Sequence, residues 1–200
     1  MVVSLERWVG KVAIVTGASA GIGATISRSW TEATNLTDGD SQLWKEIFDT
    51  DVLGLCIATR EAVKDMRENK VAGHIIHINS VGGHYIPNLP NTNVYPASKH
   101  AVTALTETLR QELNSIGSKI KVTSVSPGVV TTEFVDACFT RSRTSPPPEL
   151  KEMVQELPSL QASDIADGVL YVLATPPHVQ VRLCNIRLSS ILNKIYLVGL

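Results

Sequence analysis

The feature that most restricts what this chain can fold into is a strand pattern running straight into glycine. Lys11-Val-Ala-Ile-Val-Thr16 is a short, unbroken apolar run with β-branched residues, and Gly17-Ala-Ser-Ala-Gly21-Ile-Gly23 follows at once. Apolar runs without alternation belong to parallel strands buried on both faces. From about Ile22 the pattern turns helical. Glycines in such a turn let the backbone approach a pyrophosphate, and the helix N-terminus favours its negative charge. Taken alone, the glycines fit an ordinary tight turn equally well. Placed between a buried strand and a helix, they favour a dinucleotide-type α/β fold.

A second constellation lies downstream. Gly73-His-Ile-Ile-His-Ile-Asn79 reads as a strand closing on Ser80, followed by a Gly/Pro/Asn loop and then Tyr95-Pro-Ala-Ser-Lys99. With Pro96 in the first helical turn, where its missing N–H is harmless, Tyr95 and Lys99 share one helix face. A free phenol has a pKa near 10, and bringing it to about 7 takes roughly 4 kcal/mol. One ammonium about 4 Å away, at an effective dielectric of about 20, supplies that order of energy. Lys99 is therefore expected to lower the Tyr95 pKa, making it a proton donor or acceptor, with Ser80 holding a carbonyl or alkoxide oxygen beside it. The pair by itself equally fits a surface tyrosine touching a lysine.

Thr16-Gly-x-x-x-Gly21-x-Gly23, Ser80, Tyr95 and Lys99 occur in an order that resembles the short-chain dehydrogenase/reductase family. The wording around them is most similar to its farnesol dehydrogenase-like and hydroxysteroid-type branches. The resemblance covers Trp8 to about Ser27 and about Asn35 to Val181. It implies a Rossmann-like α/β fold, a parallel sheet with helices on both faces. It also implies an oxidoreductase moving a hydride between NADP (with NAD left open) and a hydrophobic alcohol or ketone, isoprenoid or steroid-like. Ser80, Tyr95 and Lys99 would be catalytic. Gly17, Ser19, Gly21, Ile22 and Gly23 would seat the pyrophosphate, and Lys99 the ribose. Pro127, Gly128, Val130 and Thr132, in Ser126-Pro-Gly-Val-Val-Thr-Thr132, would cup the nicotinamide; a plain Pro-Gly turn fits the same residues.

The chain departs from that pattern in three places. Between Ser27 and Asp40 there is no apolar strand, where the family continues into a second strand whose end reads the ribose. Each βαβ unit takes ~30 residues, so the sheet is expected to be incomplete by two or three strands, and the choice between NAD and NADP is not readable. Asp51, in Thr50-Asp-Val-Leu-Gly54, falls where the family carries a fourth catalytic group, an asparagine. A carboxylate there favours a protonated Lys99 and opposes ionisation of Tyr95. After Val181 the resemblance stops, giving a domain at 1–181 and a divergent tail at 182–200 that mixes helical and alternating periods.

A chain of 200 residues with net charge −1 suits one domain, and nucleic acid is not expected as a partner. Cys56, Cys138 and Cys184 have no metal spacing and read as reduced thiols of a cytoplasmic protein, with no metal and no membrane span. His74 and His77 read as strand residues; His84 and Tyr85 fit either a pocket lining or a polar loop. Helical patterns run from about 41 to 69 and from Tyr95 to about Ser115, stopped by Gly117. In the family such helices form the subunit interface, so a homo-oligomer through 41–69 and 98–115 is expected. Residues 133–158 would lid the substrate, and Ser163 or Asp164 would cap a last helix ending at Ala174. The competing reading is an inactive, truncated chain that works, if at all, by pairing through those helices.

Overall fold

The computed structural model describes residues 4–15, 35–86, 94–131 and 159–188. Helix α1 (Ser41–Phe48) starts where the Asp40 carboxylate accepts from the Gln42 N–H at 2.7 Å. It runs through a π-helical turn (Asp49–Gly54) into α2 (Leu55–Glu68). Strand β1 (His74–Ile78) follows, then a 3₁₀ turn over Val81–Gly83. Helix α3 spans Tyr95–Ser115 with Pro96 in its first turn. It ends where the Ser118 and Gly117 N–H groups return to the Leu113 and Asn114 carbonyls, with Gly117 at φ +65°. Strand β2 is Lys121–Pro127, β3 Val130–Thr131, β4 Leu160–Gln161, α4 Ala162–Ala174 and β5 Leu183–Ile186.

Strands β1, β2 and β5 form a parallel sheet in that order, with Ile78 opposite Val125 and Cys184 opposite Val125 on the other side. Every residue of β2 is buried, as its central place requires. Val125, Val102 and Val172 are fully buried, and Ile75, Leu113, Ile120 and Val122 form a cluster closed by Val63, Met66 and Leu109. A two-stranded parallel ladder, β3 with β4, lies outside this sheet.

Two expectations are corrected here. Lys11–Val15 is not a buried strand: it takes part in no strand, and Val12 and Ile14 are 90% and 83% exposed. A strand is stable only when its N–H and C=O groups find a neighbour. Among the described residues none pairs with the outer edge of β1, so the run has no ladder to join. Second, the tail expected from residue 182 contributes β5, whose Leu183–Ile186 carbonyls and N–H groups pair with β2. Its four residues lie next to buried Ser124–Pro127, and this ladder outweighs a mixed local pattern.

The N-terminal segment packs on the end of α4. The Arg7 guanidinium and Trp8 indole donate to the Leu173 carbonyl at 2.6 and 2.8 Å, and Lys121 Nζ donates to Thr175 Oγ1 at 3.1 Å. Cations gathered at a helix C-terminus meet its exposed carbonyl charge. Helix α4 begins with a capping box in which Asp164 accepts from the Gln161 N–H and Gln161 caps the first turn. Asp164 thus contributes from inside the helix, with Gln161 as the cap.

Candidate active site

Ser80 and the Pro127–Gly128 turn leave the sheet side by side, at the carboxyl ends of β1 and β2, where ligands bind in open α/β sheets. Ser80 is extended and its Oγ accepts from the Gly82 N–H at 3.0 Å, which fixes the turn that follows. That turn is pressed on α3. A Cβ built at Gly83 would lie 2.6 Å from the Lys99 carbonyl oxygen and under 3 Å from the Asn79 amide. Thr103 Oγ1 donates to the Gly83 carbonyl and accepts from Asn79 Nδ2, locking strand end, turn and helix together. The result is a hydrogen bond between the Ser80 and Tyr95 side chains.

Lys99 stands one turn beyond Tyr95, its Nζ 5.5 Å from the phenol ring centre. The ammonium does not do what the spacing predicts. It pairs with Asp51 Oδ1 at 3.3 Å, both side chains almost fully buried at 4% and 2% exposure. The other carboxylate oxygen, Oδ2, accepts from Ser98 Oγ at 2.8 Å. The π-helical turn places Asp51 in this position, an irregularity often found at functional sites. The Tyr95 hydroxyl is pushed up to about 12, chiefly by burial, against a downward pull from the Ser80 hydrogen bond and with a smaller upward push from Asp51. The net direction is thus upward, opposite to that expected from Lys99 alone, with burial as its largest cause and Asp51 acting in the same sense.

Ser80, Tyr95, Lys99 and Asp51 are thus brought into one cluster. Pro127 is buried at the end of β2, the Gly128 N–H donates to the Ile186 carbonyl at 2.8 Å, and Val130 lies in β3. Gly17, Ser19, Gly21, Ile22, Gly23 and Thr132 lie outside the described residues, as does the segment expected to lid the substrate. His84 Nε2 meets Ser126 Oγ at 2.9 Å, and the Arg187 guanidinium lies 5.0 Å over the Tyr85 ring. Burial, with His100 and Arg187 nearby, lowers the His84 pKa. The sequence reading passed over Ser98 and Asn79. Ser98 was within reach of it: a hydroxyl three residues after Tyr95 lies on the same helix face. The Asn79 Oδ1 is buried without a partner, an unused acceptor beside the site.

The other strand histidine, His77, has its ring engaged. Thr106 donates to the Val102 carbonyl, so it accepts from His77 Nδ1–H at 2.9 Å, which leaves Nε2 to accept from Thr59. Among the described residues no group of three or more His, Cys, Asp or Glu is placed to hold a metal ion, and no helix is long and apolar enough to cross a membrane.

A parallel sheet flanked by helices, with Ser, Tyr and Lys gathered at its carboxyl edge, defines a Rossmann-like oxidoreductase class. The profile for short chain dehydrogenase matches residues 31–142, and the chain belongs to that family. It is 36% identical to farnesol dehydrogenase of Aedes aegypti, over 92% of this chain and 98% of that protein. That alignment spans 252 positions, more than the 200 residues here, so the relative carries residues this chain lacks. It is 47% identical to dehydrogenase/reductase SDR family member 11 of Bos taurus over 73% of this chain, a stretch covering 56% of that relative. Among solved structures, the closed form of serine dehydrogenase complexed with NADP+ superposes with a TM-score of 0.66 at 26% identity, over 84% of this chain and 66% of that one. A 4-hydroxyisoleucine dehydrogenase mutant complexed with NADH and succinate gives 0.62 at 27% identity, over 78% and 62%.

Proposed function

We propose that this chain transfers a hydride between a nicotinamide dinucleotide, NADP by preference, and a hydrophobic alcohol or ketone of isoprenoid or steroid-like character, in the cytoplasm. The observation that carries the reading is the Ser80–Tyr95 hydrogen bond at the carboxyl end of β1, with Lys99 one turn away. The described residues fit the nicotinamide-ribose half of such a cofactor: two hydroxyls and an amine beside the turn Pro127–Val130. Gly17, Ser19, Gly21, Ile22, Gly23 and Thr132 are the residues proposed for its remainder. When bound, the nicotinamide supplies or accepts the hydride. Everything else falls to the protein: Ser80 holds the substrate oxygen, Tyr95 gives or takes its proton, and Lys99 with Asp51 sets how tightly Tyr95 keeps that proton. The NADP+ and NADH complexes of the serine and 4-hydroxyisoleucine dehydrogenases support the choice of cofactor class, and the Aedes aegypti relative's name supports an isoprenoid alcohol.

A second reading has its own support. Lys11–Val15, the run that precedes the residues proposed for the pyrophosphate, lies in no strand and is exposed. A chain in that state would act only by pairing with itself or a longer relative. Titration of the protein's fluorescence with NADPH and with NADH separates the two. Saturable binding, tighter for NADPH, is expected; no saturation with either leaves the pairing reading standing alone.

A further inference from the structure

The Asp51 carboxylate is enclosed as few carboxylates are. Lys99 Nζ approaches one oxygen at 3.3 Å, Ser98 donates to the other at 2.8 Å, and neither charged side chain is more than 4% exposed. Among the described residues, the other groups facing this point bring no further charge to it. From β1 and its turn come Ser80 and the neutral Asn79 amide, whose Nδ2 is spent on Thr103. His84 points to Ser126 at the end of β2, and His100 bonds the Pro96 carbonyl. Asp49, on the same π-helical turn, pairs outward with Lys45. An ammonium held this way is compensated before it reaches the phenol, because a carboxylate at contact distance cancels most of its field.

We infer that Asp51 is a positioning residue that holds Lys99 in a closed, neutral pair and so keeps the Tyr95 hydroxyl protonated, setting this site to give a proton to a carbonyl oxygen rather than to take one from an alcohol. The inference rests on the proposed oxidoreductase reading for its reaction direction, though not for its electrostatics. In that direction a bound reduced nicotinamide dinucleotide would supply the hydride to the carbonyl carbon and leave oxidised. The C=O π bond opens, the Tyr95 O–H breaks with its proton going to the substrate oxygen, and the phenolate regains a proton from water. The substrate class is then a ketone or aldehyde.

The test needs no cofactor. Phenolate absorbance is followed with pH in the whole chain, and the same titration of Tyr95→Phe isolates Tyr95 from the other three tyrosines. Near pH 10, where a free phenol is half ionised, Tyr95 should stay protonated in the unsubstituted chain. Asp51→Asn should raise its phenolate-to-phenol ratio about tenfold or more, the change that one pKa unit represents. Leaving Lys99 buried without its partner risks unfolding, so Asp51→Asn/Lys99→Met is titrated too. With both charges gone, Tyr95 should ionise as in the unsubstituted chain, within about threefold. An unchanged Tyr95 in a folded Asp51→Asn overturns the inference. So does a double variant about tenfold harder to ionise, since Lys99 would then act on the phenol directly. Failure to bind NADPH would leave these titrations intact and count against the oxidoreductase reading alone.

Discussion

At the scale of single residues, the interior stores a dependence on pH that is separate from the site. His77 is 5% exposed, with both ring nitrogens on threonine hydroxyls, and burial lowers its pKa from 6.5 to about 4. His74 is lowered to about 4 as well, by burial and then by Lys121 and Arg7. Its Nε2–H donates to Thr123, which itself donates to the Val181 carbonyl, and its Nδ1 is buried without a partner. The unfolded chain takes up these protons near pH 6.5 and the folded chain only near 4. Stability is therefore fully present above about 6.5 and lost as pH falls towards 4. For His77 the difference is worth at most roughly 3.5 kcal/mol, at about 1.4 kcal/mol per pKa unit. Urea midpoints measured from pH 7 to 4 should fall steeply in the unsubstituted chain and less steeply in His77→Gln. Equal slopes would mean that His77 is not the group being titrated.

Among the elements, the Val81–Gly83 turn ties the end of β1 to α3. A Cβ at Gly83 would collide with the Lys99 carbonyl at 2.6 Å, which is backbone and cannot step aside, whereas one at Gly82 would rest at 3.4 Å from Ser80 Oγ. Gly83→Ala should therefore destabilise by about 1–3 kcal/mol, as overpacking does, and pull Ser80 from Tyr95. Gly82→Ala should be close to neutral. Denaturant unfolding of both variants checks this, and similar losses for the two would show that the turn is not seated on α3 as described. The contrast also shows what the sequence made legible. Helix α3 starts at Tyr95 and ends at Ser115 as its apolar spacing, Pro96 and Gly117 dictate, because these are local instructions. The proximity of Tyr95 and Lys99 follows from the same helix. The carboxylate that captures Lys99 was named from the sequence as opposing Tyr95, but its contact depends on a π-helical turn, and no side-chain period announces one. Lys11–Val15 shows the opposite case: a clear strand pattern fails because strand formation needs a neighbour far along the chain. Leu183–Ile186 gained such a neighbour in β2 and became a strand despite its mixed pattern.

For the molecule as a whole, one stretch of uncovered surface is an open groove between two helices. Helix α2 has no buried residue, and Leu55, Cys56, Thr59 and Val63 face Leu105 and Leu109 of α3 across an open groove. Leu53 and Ile57 are exposed nearby, while Arg60, Lys64, Glu68 and Glu112 rim the groove with both signs of charge. Apolar grooves with a charged rim of this kind are characteristic of protein contacts. The helices are those for which a homo-oligomer was expected. We propose that this side joins two copies, so the chain should sediment as a dimer at micromolar concentration. Leu105→Lys, in the groove but outside the central cluster, should sediment as a monomer with unchanged helical circular dichroism. The dimer should also persist in Tyr95→Phe, since the groove lies apart from the site. A monomeric unsubstituted chain, or a Leu105→Lys variant that remains dimeric, would place the interface elsewhere. The second outcome would point to the edge of β1 that no described residue pairs with and to Lys11–Val15, a further exposed apolar run.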